Sequence, residues 1–197
     1  QQTVCQFGDV AVFSFHSTKI FHTIEGGAVV VRTKELYEKA LLMRNFGIPG
    51  YDNITELGVN YKMNEFQAAM GLCVLKDFEE ISRQREKVFL RYQNAFRTHA
   101  NLQLQAIDSH VKQNFAYFPI IFKNEKTLLQ IKNYLNDKDI YPRRYFYPSL
   151  NTLPYLINKQ SVPVSESIAS RILCLPLFHD LDPDKQDQII DIIIKYA

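Results

Sequence analysis

The stretch "FSFHSTKIFHTIEGGAVVV", residues 13–31, decides how this chain folds. It joins two runs of β-type residues through a loop that carries a lysine, Lys19, and closes on a Glu25-Gly26-Gly27 turn. On its upstream side "DVAVFSF" packs Val10, Ala11, Val12, Phe13 and Phe15 densely enough for a buried strand, and on its downstream side "GAVVVR" is a second, rich in β-branched residues. Lysine is a poor strand residue, and burying its ammonium without a partner costs far more than its methylenes recover. Lys19 is therefore either a solvated residue at a strand end or a residue with chemical work there. A lysine at the mouth of two apolar strands is expected to be partly desolvated, which lowers its pKa and frees the neutral amine to attack carbonyls. Imine formation with an aldehyde cofactor is the commonest use of such an amine. Ser14, Ser17 and Thr18 are neighbouring hydroxyls suited to phosphate oxygens, and Gly26 and Gly27 let the chain double back tightly.

Working outward, Thr33 and Glu35 open a helix that places Leu36, Ala40, Leu41 and Met43 on one face and stops by Gly47 and Pro49. "NFGIPGYDNITELG" is a punctuated loop. Asn64 followed by Gln67 is a capping-box pattern, and Phe66, Ala69, Met70, Cys73 and Val74 then recur at helical spacing. From Lys76 charged residues interleave with Phe78, Ile81, Val88, Phe89 and Tyr92, which reads as a long, partly solvated connecting helix to about Thr98. The domain boundary is expected in it, dividing residues 1–78 from 79–197. Beyond it "FAYFPIIF" reads as a strand, "NEKTLLQIKNYLNDK" as a helix capped by Asn124, and "DIYPRRYFY" as a strand that Pro142 pushes toward an edge. A short helix near "SESIASRIL", a "CLPLF" strand and a last helix from Pro183 through Tyr196 complete a small α/β sandwich.

The totals agree with a packed protein: 197 residues, 46% hydrophobic and 13% aromatic, exclude a disordered chain. With 23 basic and 21 acidic residues and no basic block, a nucleic-acid partner is not expected. Cys5, Cys73 and Cys174 are an odd number, widely spaced in apolar runs, which points to buried thiols in a reducing compartment rather than to disulfides or a zinc site. No apolar run approaches a spanning helix and no signal peptide opens the chain, so a cytoplasmic protein without a membrane partner is expected. The chain lacks an initiator Met and runs quickly into a core-like strand, as a processed or truncated start would.

Three blocks resemble the DegT/DnrJ/EryC1/StrS group of sugar aminotransferases. "FSFHSTKIFHTIEGGAVVV" is similar to the group's Schiff-base signature, "LGVNYKMNEFQAAMGLCVL" at residues 57–75 to its G-x-N-x-R-M-x-E-x-Q-A-A-x-G segment, and "LCLPLFHDLDPDKQDQIIDII" to its C-terminal tail. They stand in the family's order and span essentially the whole chain. The resemblance implies an α/β protein of the PLP-dependent transferase fold type I, with residues 1–78 as the C-terminal part of the PLP-binding large domain and 79–197 as the connecting helix and small domain. It implies pyridoxal 5'-phosphate as cofactor, Lys19 as the lysine that binds it and shuttles the proton, and Ser14 as the hydroxyl holding its phosphate. Asn60 matches the asparagine that reaches across a dimer interface to the partner's cofactor phosphate, which implies a homodimer with a shared active site. Without the resemblance, Asn60 reads as a turn residue after Gly58. His16 falls on the family's histidine, with local hydrogen bonding or ligand contact as its two readings, and Glu25 is expected to support the glycine turn.

"YPRRYFYPSLNTLPY" matches the small-domain stretch that closes over the nucleotide-sugar, where Arg143, Arg144, Tyr145 and Tyr147 would meet a pyrophosphate or sugar. A solvated edge strand reads the same way. Asn151 stands where many relatives carry histidine, and Lys62 where they carry arginine. The style of "RRYFYPSLN" is most similar to members that aminate dTDP-4-keto-6-deoxyglucose, with glutamate as donor, for O-antigen or other polysaccharide biosynthesis; C-3 aminating members share it. The family's sugar dehydratases carry histidine at the lysine's position, so Lys19 argues against them. The family's phosphate-binding turn, ring over the pyridine and pyridinium-pairing aspartate have no counterpart in residues 1–18. This chain alone is thus expected to be incomplete and inactive, and a non-catalytic assembly fragment is the alternative reading.

Overall fold

The computed structural model describes residues 2–197, and the chain divides into two compact units with the boundary between Glu79 and Glu80. In the first, strands β1 (Val10–Ser14) and β2 (Gly27–Val31) form an antiparallel ribbon, registered from Val10 opposite Val31 to Ser14 opposite Gly27. Helix α1 (Lys34–Arg44) starts where the Thr33 hydroxyl accepts from Leu36 N, and it closes where Gly47, at φ +72°, donates its N–H to Leu42 O.

Helix α2 (Glu65–Phe96) opens on the capping box that its sequence announces. Asn64 Oδ1 accepts from Gln67 N at 2.9 Å while Gln67 Oε1 accepts from Asn64 N at 3.1 Å, so two otherwise orphaned donors are satisfied reciprocally. Asn64→Ala is expected to cost ~1 kcal/mol in denaturant unfolding, and a midpoint unchanged from the parent would contradict that reading.

The face of α2 in the first unit differs from the expected one. Gly71 is buried and Gln67, Met70, Val74 and Phe78 are half-buried, whereas Phe66, Ala69 and Cys73 are exposed. Apolar residues lie almost all round this part of the helix, so spacing alone does not select the inward side. Cys73 is accordingly not a buried thiol and Cys5 is only half-buried; Cys174 alone matches the expectation, and burial pushes its pKa up to about 11.

The second unit holds the core. Its sheet runs β3 (Leu102–Leu104), β4 (Phe118–Phe122), β5 (Ile172–Leu175), antiparallel throughout with β4 central. Register puts Leu104, Ile120 and Leu173 side by side, with Phe122 opposite Leu102 and Phe118 opposite Leu175. This one face packs on Leu128, Ile131 and Leu135 of α3 (Glu125–Asn136) and on Ile189, Ile190 and Ile193 of α5 (Pro183–Tyr196). Val88, Phe89, Tyr92 and Phe96 of α2 complete the cluster. Asn124 caps α3 through Thr127 N, and Asp182 caps α5 ahead of Pro183. Between them lies α4 (Pro163–Arg171).

Three expectations fail here. "DIYPRRYFY" is not a strand: only Arg143 pairs, exchanging both backbone bonds with Cys174, and Pro142 beside it has no N–H to extend the ladder. The strand expected over 115–122 begins at Phe118, because Arg85 of α2 takes the carbonyls of Phe115 and Ala116 at 3.0 and 2.8 Å. The strand expected at "CLPLF" is β5, which starts earlier, at Ile172, and stops at Leu175, where Pro176 has no N–H for the ladder; β3, three residues with one full alternation, is too short for its pattern to announce. Among the described residues no helix is long and apolar enough to cross a membrane.

Candidate active site

The ribbon ends in a loop closed by three backbone bonds. Phe15 N donates to Gly26 O at 2.8 Å, Thr23 N to Phe15 O at 2.9 Å, and Lys19 N to His16 O at 2.9 Å, which makes His16–Lys19 a tight turn. Phe15 and Phe21 meet edge to face, ring centroids 4.8 Å apart, and fix the loop's base. His16 serves the loop itself: its Nδ1 lies 2.9 Å from Thr18 Oγ1 and accepts from Thr18 N, and its Nε2 lies 3.5 Å from Glu25 Oε1.

The Lys19 side chain is exposed, and its Nζ makes no hydrogen bond or ion pair among the described residues. The expected partial desolvation is therefore not found in this unit. The physical reason is that β1 and β2 are a two-stranded ribbon, exposed along most of its length, with too little packed against it to dry the loop mouth. Ser14 is likewise exposed at the end of β1, and its Oγ accepts only the His16 N–H, at 3.4 Å.

What holds this loop is a residue the sequence reading passed over. Thr23 is buried and donates its hydroxyl to Glu25 O at 2.8 Å, while its methyl faces α2 at Gly71, where a Cβ would stand 2.8 Å away. A Cβ at Gly26 would lie 2.2 Å from the same hydroxyl, so both glycines are demanded by close approach. Between Thr23 and Glu25, Ile24 is held at φ +68°, a conformation a β-branched residue resists, at a cost of order 1–3 kcal/mol. A threonine between His22 and Ile24 gives no sequence signal for this; the glycine in "QAAMG" is the one trace of it.

Asn60 sits in an isolated bridge to Asn45 just beyond α1, exposed, and no hydrogen bond links its side chain to Ser14 or Lys19. Lys62 is committed locally, donating to Asn45 Oδ1 at 3.2 Å with its Nζ 4.3 Å above the Phe46 ring.

In the second unit, Arg144 and Asn151 are engaged within the fold. Arg144 donates through one Nη to Glu125 Oε1 at 2.7 Å and to Ser170 O at 2.9 Å, and its guanidinium carbon lies 3.5 Å from the centroid of Tyr147. Its side chain is only 15% exposed. Asn151 donates to Gln160 O at 2.8 Å and Glu166 Oε1 at 2.7 Å and accepts from Ser149 Oγ at 2.6 Å, so its amide has little capacity left for a ligand. The Val162 N–H, and after it the Asn151 amide, hold the Glu166 carboxyl below its ordinary range. By contrast Arg143 is exposed with its guanidinium over Tyr145, and Tyr147 has a hydroxyl without a partner among the described residues.

An exposed primary amine five residues after an exposed hydroxyl, on a loop pinned by Thr23, is a donor set that fits a phosphorylated aldehyde: the amine for the carbonyl and the hydroxyl for a phosphate oxygen.

Comparison with known proteins agrees with that chemistry. The model of the DegT/DnrJ/EryC1/StrS aminotransferase family matches residues 1–194. A dTDP-4-amino-4,6-dideoxy-D-glucose transaminase of Shigella dysenteriae is 35% identical over 196 residues, 97% of this chain and 53% of that protein. A GDP-perosamine synthase of Escherichia coli O157:H7 is 30% identical over 194 residues, 96% of this chain and 52% of that protein. The aminotransferase TlmJ from Streptoalloteichus hindustanus superposes with a TM-score of 0.91 at 23% identity, covering 98% of this chain and 53% of that one. The chain thus spans about half the length of the curated relatives it matches. Its fold is that of the sugar aminotransferases, PLP-dependent fold type I.

Proposed function

Because the chain belongs to the DegT/DnrJ/EryC1/StrS aminotransferase family, we propose that it acts within a PLP-dependent aminotransferase that converts a nucleotide-linked 4-keto-6-deoxy sugar to the amino sugar. The reading favours dTDP-4-keto-6-deoxyglucose as acceptor and glutamate as donor, with the product entering O-antigen or related polysaccharide. The observation that carries it is the exposed Nζ of Lys19, without a hydrogen bond or ion pair among the described residues, in a loop whose sequence is similar to the family's lysine block.

Pyridoxal phosphate, when bound, supplies an electron sink for the carbon that loses its proton. Lys19 would hold the cofactor through its amine, and the same amine, free of the aldehyde, would take up and return the substrate proton. Ser14 Oγ would donate to a phosphate oxygen of the bound cofactor. His16, Thr18 and Glu25 hold the turn, and the Thr23–Gly71 contact sets where it sits on its own unit.

In a homodimer, Asn60 would reach the cofactor phosphate held by the partner. Three free cysteines accord with a cytoplasmic setting.

The test is the full-length protein with PLP, glutamate and a panel of dTDP-, UDP- and GDP-linked 4-keto sugars, read by product mass and by NMR for the aminated carbon. The expected product is the C-4 amine of the dTDP sugar, with 2-oxoglutarate formed. Amination at C-3, or no product from any member of the panel, would contradict the reading.

A further inference from the structure

Arg144, a candidate substrate contact, has its guanidinium drawn into the fold, with Nε buried and without a partner among the described residues. One Nη bridges Glu125, in the first turn of α3, and the Ser170 carbonyl, in the last turn of α4. The flat face of the same guanidinium covers the Tyr147 ring at 3.5 Å. On the other side of the residue, Arg143 N and O are both bonded to Cys174 in β5, at 3.0 and 2.8 Å. Residues 143–147 are thereby tied to three elements at once, and the tie leaves Tyr147 half-exposed with its hydroxyl uncommitted.

A positive charge this buried is held by its counter-ion. Removing the carboxylate leaves the guanidinium uncompensated, and the stacked ring loses its lid. We propose that Arg144 is a positioning residue, not a substrate ligand: the Glu125–Arg144–Ser170 clamp orients Tyr147 so that its hydroxyl meets the keto-sugar. This rests on the functional reading above for the identity of the substrate, but the clamp itself does not.

Two measurements on the full-length protein test it. The first is amide hydrogen exchange in Glu125→Gln, which keeps an acceptor and removes the charge. Exchange across residues 143–148 is expected to quicken about tenfold while the core strands β4 and β5 stay protected. Unchanged exchange there overturns the clamp whatever the enzyme does.

The second measurement is kinetic. E125Q, R144Q and Y147F are each expected to raise KM for the keto-sugar about tenfold, and in the two positioning variants, E125Q and R144Q, the glutamate half-reaction, followed by the cofactor's absorbance, is expected to stay unchanged. E125Q/R144Q is expected to be no worse than the worse single variant, as for two residues acting as one unit. Y147F touches no hydrogen bond of the fold, so it stays informative if the arginine variant folds poorly. If R144Q raises KM while E125Q leaves it alone, or if the two effects multiply, Arg144 binds substrate directly and the proposal is wrong. Failure of the parent protein to react with glutamate would count against the functional reading, and the exchange experiment would still decide the clamp.

Discussion

Replacing Lys19 with alanine is expected to lower transamination by at least about a thousandfold, the scale of losing a positioned proton-transfer group together with a covalent anchor. The loss falls on turnover and not on folding, because the side chain is exposed and makes no bond that holds the loop; those bonds run from its backbone N–H and from His16, Thr18 and Thr23. Its unfolding free energy is expected to stay within about 0.5 kcal/mol of the parent. Lys19→Arg keeps the charge and is expected to be just as inactive, since a guanidinium does not deprotonate to a nucleophile. Single-turnover rates with glutamate check this, and a K19A protein retaining a tenth of the parental rate would remove Lys19 from the chemistry.

The second large effect is on stability. Phe118 opens the central strand β4 and meets three rings of α2: Phe89 at 5.0 Å, Tyr92 at 5.1 Å and Phe96 at 6.2 Å between centroids. It is 2% exposed, and Leu175 lies opposite it across the sheet. Phe118→Ala removes the ring from the centre of this cluster and leaves a space that side chains fixed on a helix and two strands fill only in part. The expected cost is about 3–5 kcal/mol, read from the denaturant midpoint of the second unit's unfolding. A loss below about 1 kcal/mol would mean that the aromatic cluster is not where this unit's stability resides.

Much of this was legible because the signals are local. Asn64 with Gln67, Asn124 with Thr127, and Pro183 after Asp182 fix helix starts through contacts within three residues, and each appears as written in the sequence. "DVAVFSF" and "GAVVV" are strands as their residue types suggest, but not the buried strand expected: only Ala11 of β1 and Ala28 and Val31 of β2 are even half-buried. The illegible parts depend on partners far along the chain. Arg144 finds Glu125 nineteen residues earlier and Ser170 twenty-six later, Arg85 takes carbonyls thirty residues on, and Thr23 meets Gly71 across forty-eight. No spacing rule reports such pairings, so "DIYPRRYFY" read as an edge strand when its arginine is drawn into a clamp.

The site shows the same division. The order of Ser14, His16, Lys19 and the Gly26-Gly27 turn is a local property, and the loop is built from it. The exposure of Lys19 is not local: it follows from how little of the first unit packs on the ribbon, and two apolar strands in sequence do not announce a dry loop mouth.

The most direct test of Lys19's role is chemical. The full-length protein is incubated with pyridoxal phosphate, reduced with borohydride, digested and mapped by mass spectrometry. The reading predicts the pyridoxyl group on Lys19, lost in K19A. A label absent from Lys19, or scattered over other exposed amines such as Lys34 and Lys62, would contradict it.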